Sequence, residues 1–94
     1  MAKCTVLCWQ EIPSMIEARE GRASHKVQLS ERFQELIDAV AMRRGLAGTD
    51  EYLTAWNKQP PEEREGTPDK AAEALAREIE GRFEEIKAEA LGRS

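Results

Sequence analysis

CTVLCWQEIPSMIEAREGRASHKVQL, residues 4 to 29, decides the fold, because it reads as three short strands in succession rather than as a helix. Cys4–Trp9 is dense in β-branched and apolar residues and runs into the "EIPS" turn at Pro13; Met15–Arg19 returns, "EGRAS" turns again at Gly21, and His25–Leu29 follows. Connections this short favour an antiparallel meander over parallel pairing, which needs long crossovers. Alternation along the first strand sets Cys4, Val6 and Cys8 on one face and Thr5, Leu7 and Trp9 on the other. Both faces are largely apolar, as in an interior strand.

The two cysteines raise the question of a metal or redox site. Four residues of strand advance about 13 Å, against a limit of roughly 7 Å between Cα atoms for a disulfide. One zinc ion, with sulfur ligands at about 2.3 Å, is equally out of reach of both thiols on one regular strand. With His25 the only histidine, buried reduced thiols packing as small hydrophobes are the favoured reading. No metal and no cofactor are expected.

Downstream, Ser30 is placed as an N-cap, and Phe33, Leu36, Ile37, Val40 and Ala41 line one helical face. Gly45 closes that helix, with Arg43 and Arg44 near its C-terminus. Thr49, followed by Asp50 and Glu51, predicts a short second helix with Tyr52, Leu53 and Trp56 packed inward. Pro60-Pro61 and the charged run at 62 to 65 mark a polar connector over 58–66. Thr67-Pro68 restarts the chain, and Ala72, Leu75, Ile79, Phe83, Ile86 and Ala90 recur at helical spacing, predicting one long amphipathic helix to about residue 91. The expected fold is α+β: a three-stranded antiparallel meander, two packed helices and a long C-terminal helix. In domain terms this divides the chain into a core at 1–57, the connector at 58–66 and a helical extension at 67–94. Whether that extension docks on the core is open.

Composition narrows the function. The chain of 94 residues carries 14 Lys and Arg against 18 Asp and Glu, a net charge of −4, unlike a protein devoted to wrapping nucleic acid or coating an acidic membrane. Residues 1 to 48 hold seven basic and six acidic side chains, residues 49 to 94 seven basic and twelve acidic ones. No apolar run reaches the length of a membrane span or forms a secretory signal, so a cytoplasmic protein is expected.

Candidate sites are few. In the loop "GRASHK", Arg22, Ser24, His25 and Lys26 could together hold a phosphate or carboxylate, although polar turns between strands are common in any fold. Arg22, Lys26, Arg43 and Arg44 could form a basic patch, but the acidic second half opposes a nucleic-acid backbone. His25 has no nucleophile or carboxylate at a diagnostic spacing, so no catalytic residues are assigned. Trp9 and Trp56 are candidate anchors for a protein partner, with core packing and a satisfied indole N–H the alternative.

"TVLCWQEIP", then "GRASHKVQLSERFQELIDAVAMRRG", then "DEYLTAW" together resemble the bacterial virulence-factor domain, found as small stand-alone proteins and as a segment of larger conserved virulence factor proteins. That pattern has a W-x-x-I-P turn, matched at Trp9, Ile12 and Pro13, and a G-R…K-V-Q-L-x-x-R-F junction, matched at Gly21, Arg22, Lys26 to Leu29, Arg32 and Phe33. An A-M-x-x-G helix end is matched at Ala41, Met42 and Gly45, and a Y-L-x-x-W segment at Tyr52, Leu53 and Trp56. The resemblance covers about residues 4 to 57, with no counterpart from residue 58 on. It implies no catalytic residues; it does imply an accessory protein for enzymes of corrinoid- and tetrahydrofolate-linked methyl transfer. The leading expectation is a non-catalytic interaction module with a protein partner, met through a strand edge, Trp9 or Trp56 and the loop at 21–26. The alternative is a module binding a phosphate or folate carboxylate at that loop.

Overall fold

The computed structural model describes residues 1–93. Ser94, the last residue of the expected extension, lies outside them. Three strands do form in succession, β1 (Ala2–Trp9), β2 (Ile12–Glu20) and β3 (Ala23–Gln28), paired antiparallel in the spatial order β3-β2-β1. Gln10 takes a positive φ of 51° in the tight turn between β1 and β2, and Gly21, at φ 59°, supplies the same left-handed conformation between β2 and β3, where a Cβ is disfavoured. The α+β class expected from the sequence is therefore the class observed, with helices α1 (Glu31–Arg43), α2 (Asp50–Thr54), α3 (Pro68–Gly81) and α4 (Phe83–Gly92).

The polar stretch expected to be a connector belongs to the sheet. Trp56–Lys58 (β4) and Glu62–Arg64 (β5) both pair antiparallel with β1, opposite Leu7–Trp9 and Ala2–Cys4 respectively. They are two halves of one edge strand: the Gln59 N–H still donates to the Val6 carbonyl at 2.9 Å, and pairing lapses only where Pro60 and Pro61 have no N–H to give. β1 is thus central, with β2 on one side and the interrupted edge strand on the other. Short polar strands with prolines carry a weak alternation signal, which is why 58–66 reads as a loop in sequence.

One register shift interrupts β2. Leu7 stands opposite Met15 but Cys8 stands opposite Pro13, leaving Ser14 as the extra residue of a bulge in β2. Bulges raise local twist, and here α2 also folds over that end of the sheet. Trp9, expected on the face opposite Cys4, joins the same core cluster as Cys4. It is fully buried, its ring 5.5 Å from Tyr52 and its Nε1–H donating to the Tyr52 carbonyl at 2.9 Å.

α1 and α3 lie on one side of the sheet. Ala2, Cys4, Ile16 and Ala18 from the sheet meet Phe33, Leu36, Ile37, Val40 and Ala41 of α1 and Ala71, Ala72, Leu75 and Ala76 of α3 in a single core. The small side chains of α3 suit close approach of a helix to β1, β2 and β3, so the expected extension is packed on the sheet rather than left separate. It is also two helices, not one. Gly81 and Arg82 break it, with Arg82 at φ −103° and ψ 11°, and the turn brings Phe83 edge-on to Phe33 at 5.0 Å between ring centroids. Helical spacing in the sequence runs through this break because Ile79 and Phe83 stay four residues apart.

Three ionic contacts lock the layers. Glu80, at the end of α3, accepts from the Ser30 backbone N–H (2.6 Å), the Ser30 hydroxyl (2.7 Å) and the Arg32 guanidinium (3.0 Å). Ser30 does occupy the N-cap of α1, but its hydroxyl serves Glu80 instead of the helix. Arg44 forms a two-pronged pair with Glu11 (2.9 and 2.8 Å) and also donates to Gln10 and to the Ala90 carbonyl, tying the first turn to α1 and α4. Arg64 of β5 reaches Glu78 of α3 at 2.6 Å. α2 is shorter than expected: Thr49 caps it by accepting from the Tyr52 N–H, but Leu53 points outward and Trp56 belongs to β4.

Candidate docking face

α1 and α3 pack on the face of the sheet that carries Cys4, Ile16 and Ala18, whereas Lys3, Arg19, Ser24, Lys26, Gln28, Lys58 and Glu63 are exposed on the other face. Its side chains fall in three rows set by the strand register. One row runs Glu63, Lys3, Arg19 and Ser24; the next runs Thr5, Glu17 and Lys26; the third runs Lys58, Leu7, Met15 and Gln28. A hollow of about 180 Å³ lies among Thr5, Leu7, Met15, Glu17, Arg19, Lys26 and Lys58, and a broader one of about 510 Å³ continues past Lys3 and Thr5 towards Pro61. Leu7 and Met15, facing each other across β1 and β2, are the apolar centre of the face and remain half-buried there.

Charge on this face departs from the chain as a whole. Lys3, Arg19, Lys26 and Lys58 stand against Glu17 and Glu63, so the face is net positive in a chain of net charge −4. Arg19 reaches Glu17 at 3.4 Å. The ammonium groups of Lys3, Lys26 and Lys58 enter no ion pair or side-chain hydrogen bond among the described residues.

The sequence candidates for anion binding are not brought together. Arg22 sits in the turn before β3; Ser24 and Lys26 fall on the open face; His25, opposite Ala18, falls on the helix side, near Asp69 of α3. A period of two necessarily divides neighbouring strand residues between faces. The tryptophans also part company: Trp9 is a core residue with its indole N–H satisfied, whereas Trp56 is only half-buried, packed against the edge of that core and meeting Tyr52 edge-on at 6.4 Å. Of the open-face residues only Ser24 and Lys26 were legible as candidates; Lys3, Leu7, Met15, Arg19 and Lys58 were not. Leu7 was placed on an apolar strand without a sign of which face is covered, and Lys58 in a connector.

A second exposed apolar feature lies at the corner between α1 and α2. Met42 is 72% exposed and Leu53 67% exposed, beside a shallow hollow of about 250 Å³ lined by Asp38, Ala41, Met42, Ala47, Gly48 and Tyr52. A further hollow of about 390 Å³ opens at the β3–α1 junction among Ser14, Gln28, Ser30 and Gln34.

Both cysteines are free and buried. Burial pushes the Cys8 thiol up to about 11 and raises that of Cys4 too, the nearby Arg64 opposing the rise at Cys4. Neither thiol is primed for nucleophilic attack. Among the described residues no cluster of three or more His, Cys, Asp or Glu is placed to hold a metal ion, and no helix is long and apolar enough to cross a membrane.

A family model described as "Virulence factor" matches residues 7–91. The chain belongs to the virulence factor family. The match extends through β4, β5, α3 and nearly all of α4, so the region from residue 58 on, for which the sequence pattern offered no counterpart, is part of the family's domain. No curated protein and no solved structure matches the chain. In this virulence factor family member the open face is built by residues from both segments: Leu7, Met15 and Lys26 from the meander, and Lys58 and Glu63 from the edge strand.

Proposed function

We propose that the chain is a non-catalytic interaction module that docks a protein partner on the open face of its sheet. The observation that carries this reading is the apolar pair Leu7–Met15 at the centre of the sheet face opposite α1 and α3. A sheet is normally covered wherever it presents apolar side chains, and a partner can supply that layer. The buried, proton-holding thiols and the division of Arg22, Ser24, His25 and Lys26 between faces favour binding over chemistry. Enzymes of corrinoid- and tetrahydrofolate-linked methyl transfer are the partner class the family resemblance suggests trying first.

The test is co-purification with the tagged chain from cells that express those enzymes. Leu7→Glu and Met15→Glu, each with an unchanged circular dichroism spectrum, are expected to lose the partner, while Met42→Ser plus Leu53→Ser retains it. Retention of the partner by folded Leu7→Glu and Met15→Glu proteins would overturn the assignment to this face.

A further inference from the structure

From the charge and shape of the open face we infer the chemistry of its occupant: an amphipathic helix of a partner protein, with a narrow apolar stripe flanked by carboxylates. This inference rests on the docking reading above and adds what the partner must present. Lys58 and Lys26 lie on opposite sides of the Leu7–Met15 pair, at the two outer strands of the sheet. Strand spacing puts their Cα atoms roughly 15 Å apart, which admits a helix about 10–12 Å across with its flanking carboxylates within reach of both ammonium groups. The apolar stripe then seats on Leu7 and Met15, and one end of the helix points towards Lys3 and Arg19 in the far row.

Competing occupants fit less well. Single-stranded nucleic acid binds sheet faces by stacking bases on aromatic side chains, and none of the three rows contains an aromatic residue. A second copy stacked face to face would bring two surfaces of the same net positive charge together. An acidic helix instead supplies the partners that the three lysines lack among the described residues, and supplies a helical layer for this side of the sheet.

Backbone-amide NMR of the ¹⁵N-labelled 94-residue chain tests this with two designed helical peptides of about 20 residues, sharing one leucine stripe at i, i+3, i+4 and i+7 and flanked by glutamates in one and by lysines in the other. The glutamate peptide is expected to shift Thr5, Leu7, Met15 and Lys26 and to bind at least about tenfold more weakly at 500 mM than at 50 mM NaCl, as surface charge pairing requires. Lys26→Glu plus Lys58→Glu, folded by the same spectrum, is expected to abolish that binding and to create binding of the lysine peptide. Equal binding of both peptides, binding of neither, shifts confined to the Met42–Leu53 corner, or shifts of the open face by an oligouridylate would each overturn the inference. So would concentration-dependent self-association in sedimentation that the double variant abolishes. A native partner lost with Leu7→Glu yet insensitive to salt and to the double charge reversal would overturn the acidic helix while leaving the docking face standing.

Discussion

At the residue scale, the two tryptophans show how little residue type alone decides. Trp9 is fully buried and its N–H is spent on the Tyr52 carbonyl, whereas Trp56 is only half-buried on the same aromatic cluster. Trp9→Ala is expected to cost about 3–5 kcal/mol in urea denaturation, a large share of the roughly 5–15 kcal/mol typical of a domain. Trp56→Ala is expected to cost well under half of that. The indole was legible as a candidate anchor, but its burial was not, because it depends on Tyr52 of α2 folding over the sheet end. Cys8 offers a second check. Its thiol keeps its proton up to about pH 11 in the fold, while the unfolded chain releases it earlier; stability from this group is therefore complete at neutral pH and declines as pH rises towards 11. Ellman's reagent at pH 8 should react with both cysteines orders of magnitude more slowly in the native protein than in denaturant, and fast native reaction would contradict the burial.

Elements are held together by pairs that join distant parts of the chain, and these were invisible in the sequence. Glu80 and Ser30 are 50 residues apart, yet the Glu80 carboxylate sits at the start of α1 and accepts from the Ser30 N–H, the Ser30 hydroxyl and Arg32. Partial burial raises its pKa, but the Ser30 and Arg32 contacts outweigh that and leave it lowered. A lowered carboxylate pKa stabilises the fold above the unfolded pKa, and the contribution is lost as pH falls through the folded value. Glu80→Ala is expected to cost about 1–2 kcal/mol at pH 7, discounted for the exposure of Arg32, with the gap to the parent protein closing as acid protonates Glu80; denaturation midpoints at pH 7 and pH 3 measure it. Arg44→Lys should likewise destabilise, by about 1–2 kcal/mol, because a lysine cannot reproduce the two-pronged contact with Glu11 while also reaching Ala90. By contrast, α1, with its apolar face from Phe33 to Ala41, and the Thr67-Pro68 restart of α3 were readable locally, since periodicity and N-terminal signals need no distant partner. β4 and β5 were not, because three-residue strands acquire their identity only from pairing with β1.

For the whole molecule, the core is shared between segments that the sequence seemed to separate. Ala71, Ala72, Leu75, Ala76, Phe83 and Ala90 close over Cys4, Ile16, Ala18 and Phe33. A fragment ending at residue 57 is expected to remain unfolded, with collapsed amide dispersion in its NMR spectrum; a well-dispersed spectrum would show that the meander and α1 suffice. The central position of β1 also bears on how the protein is made. Ala2–Cys4 emerge from the ribosome well before Glu62–Arg64, with which they pair, and the helix that covers them ends only at Gly81. At about 5–20 residues per second, the ribosome needs several seconds to deliver those partners. Throughout that interval the first strand is an apolar segment without a neighbour on one side, so a nascent chain stalled before residue 64 is the form most in need of a chaperone.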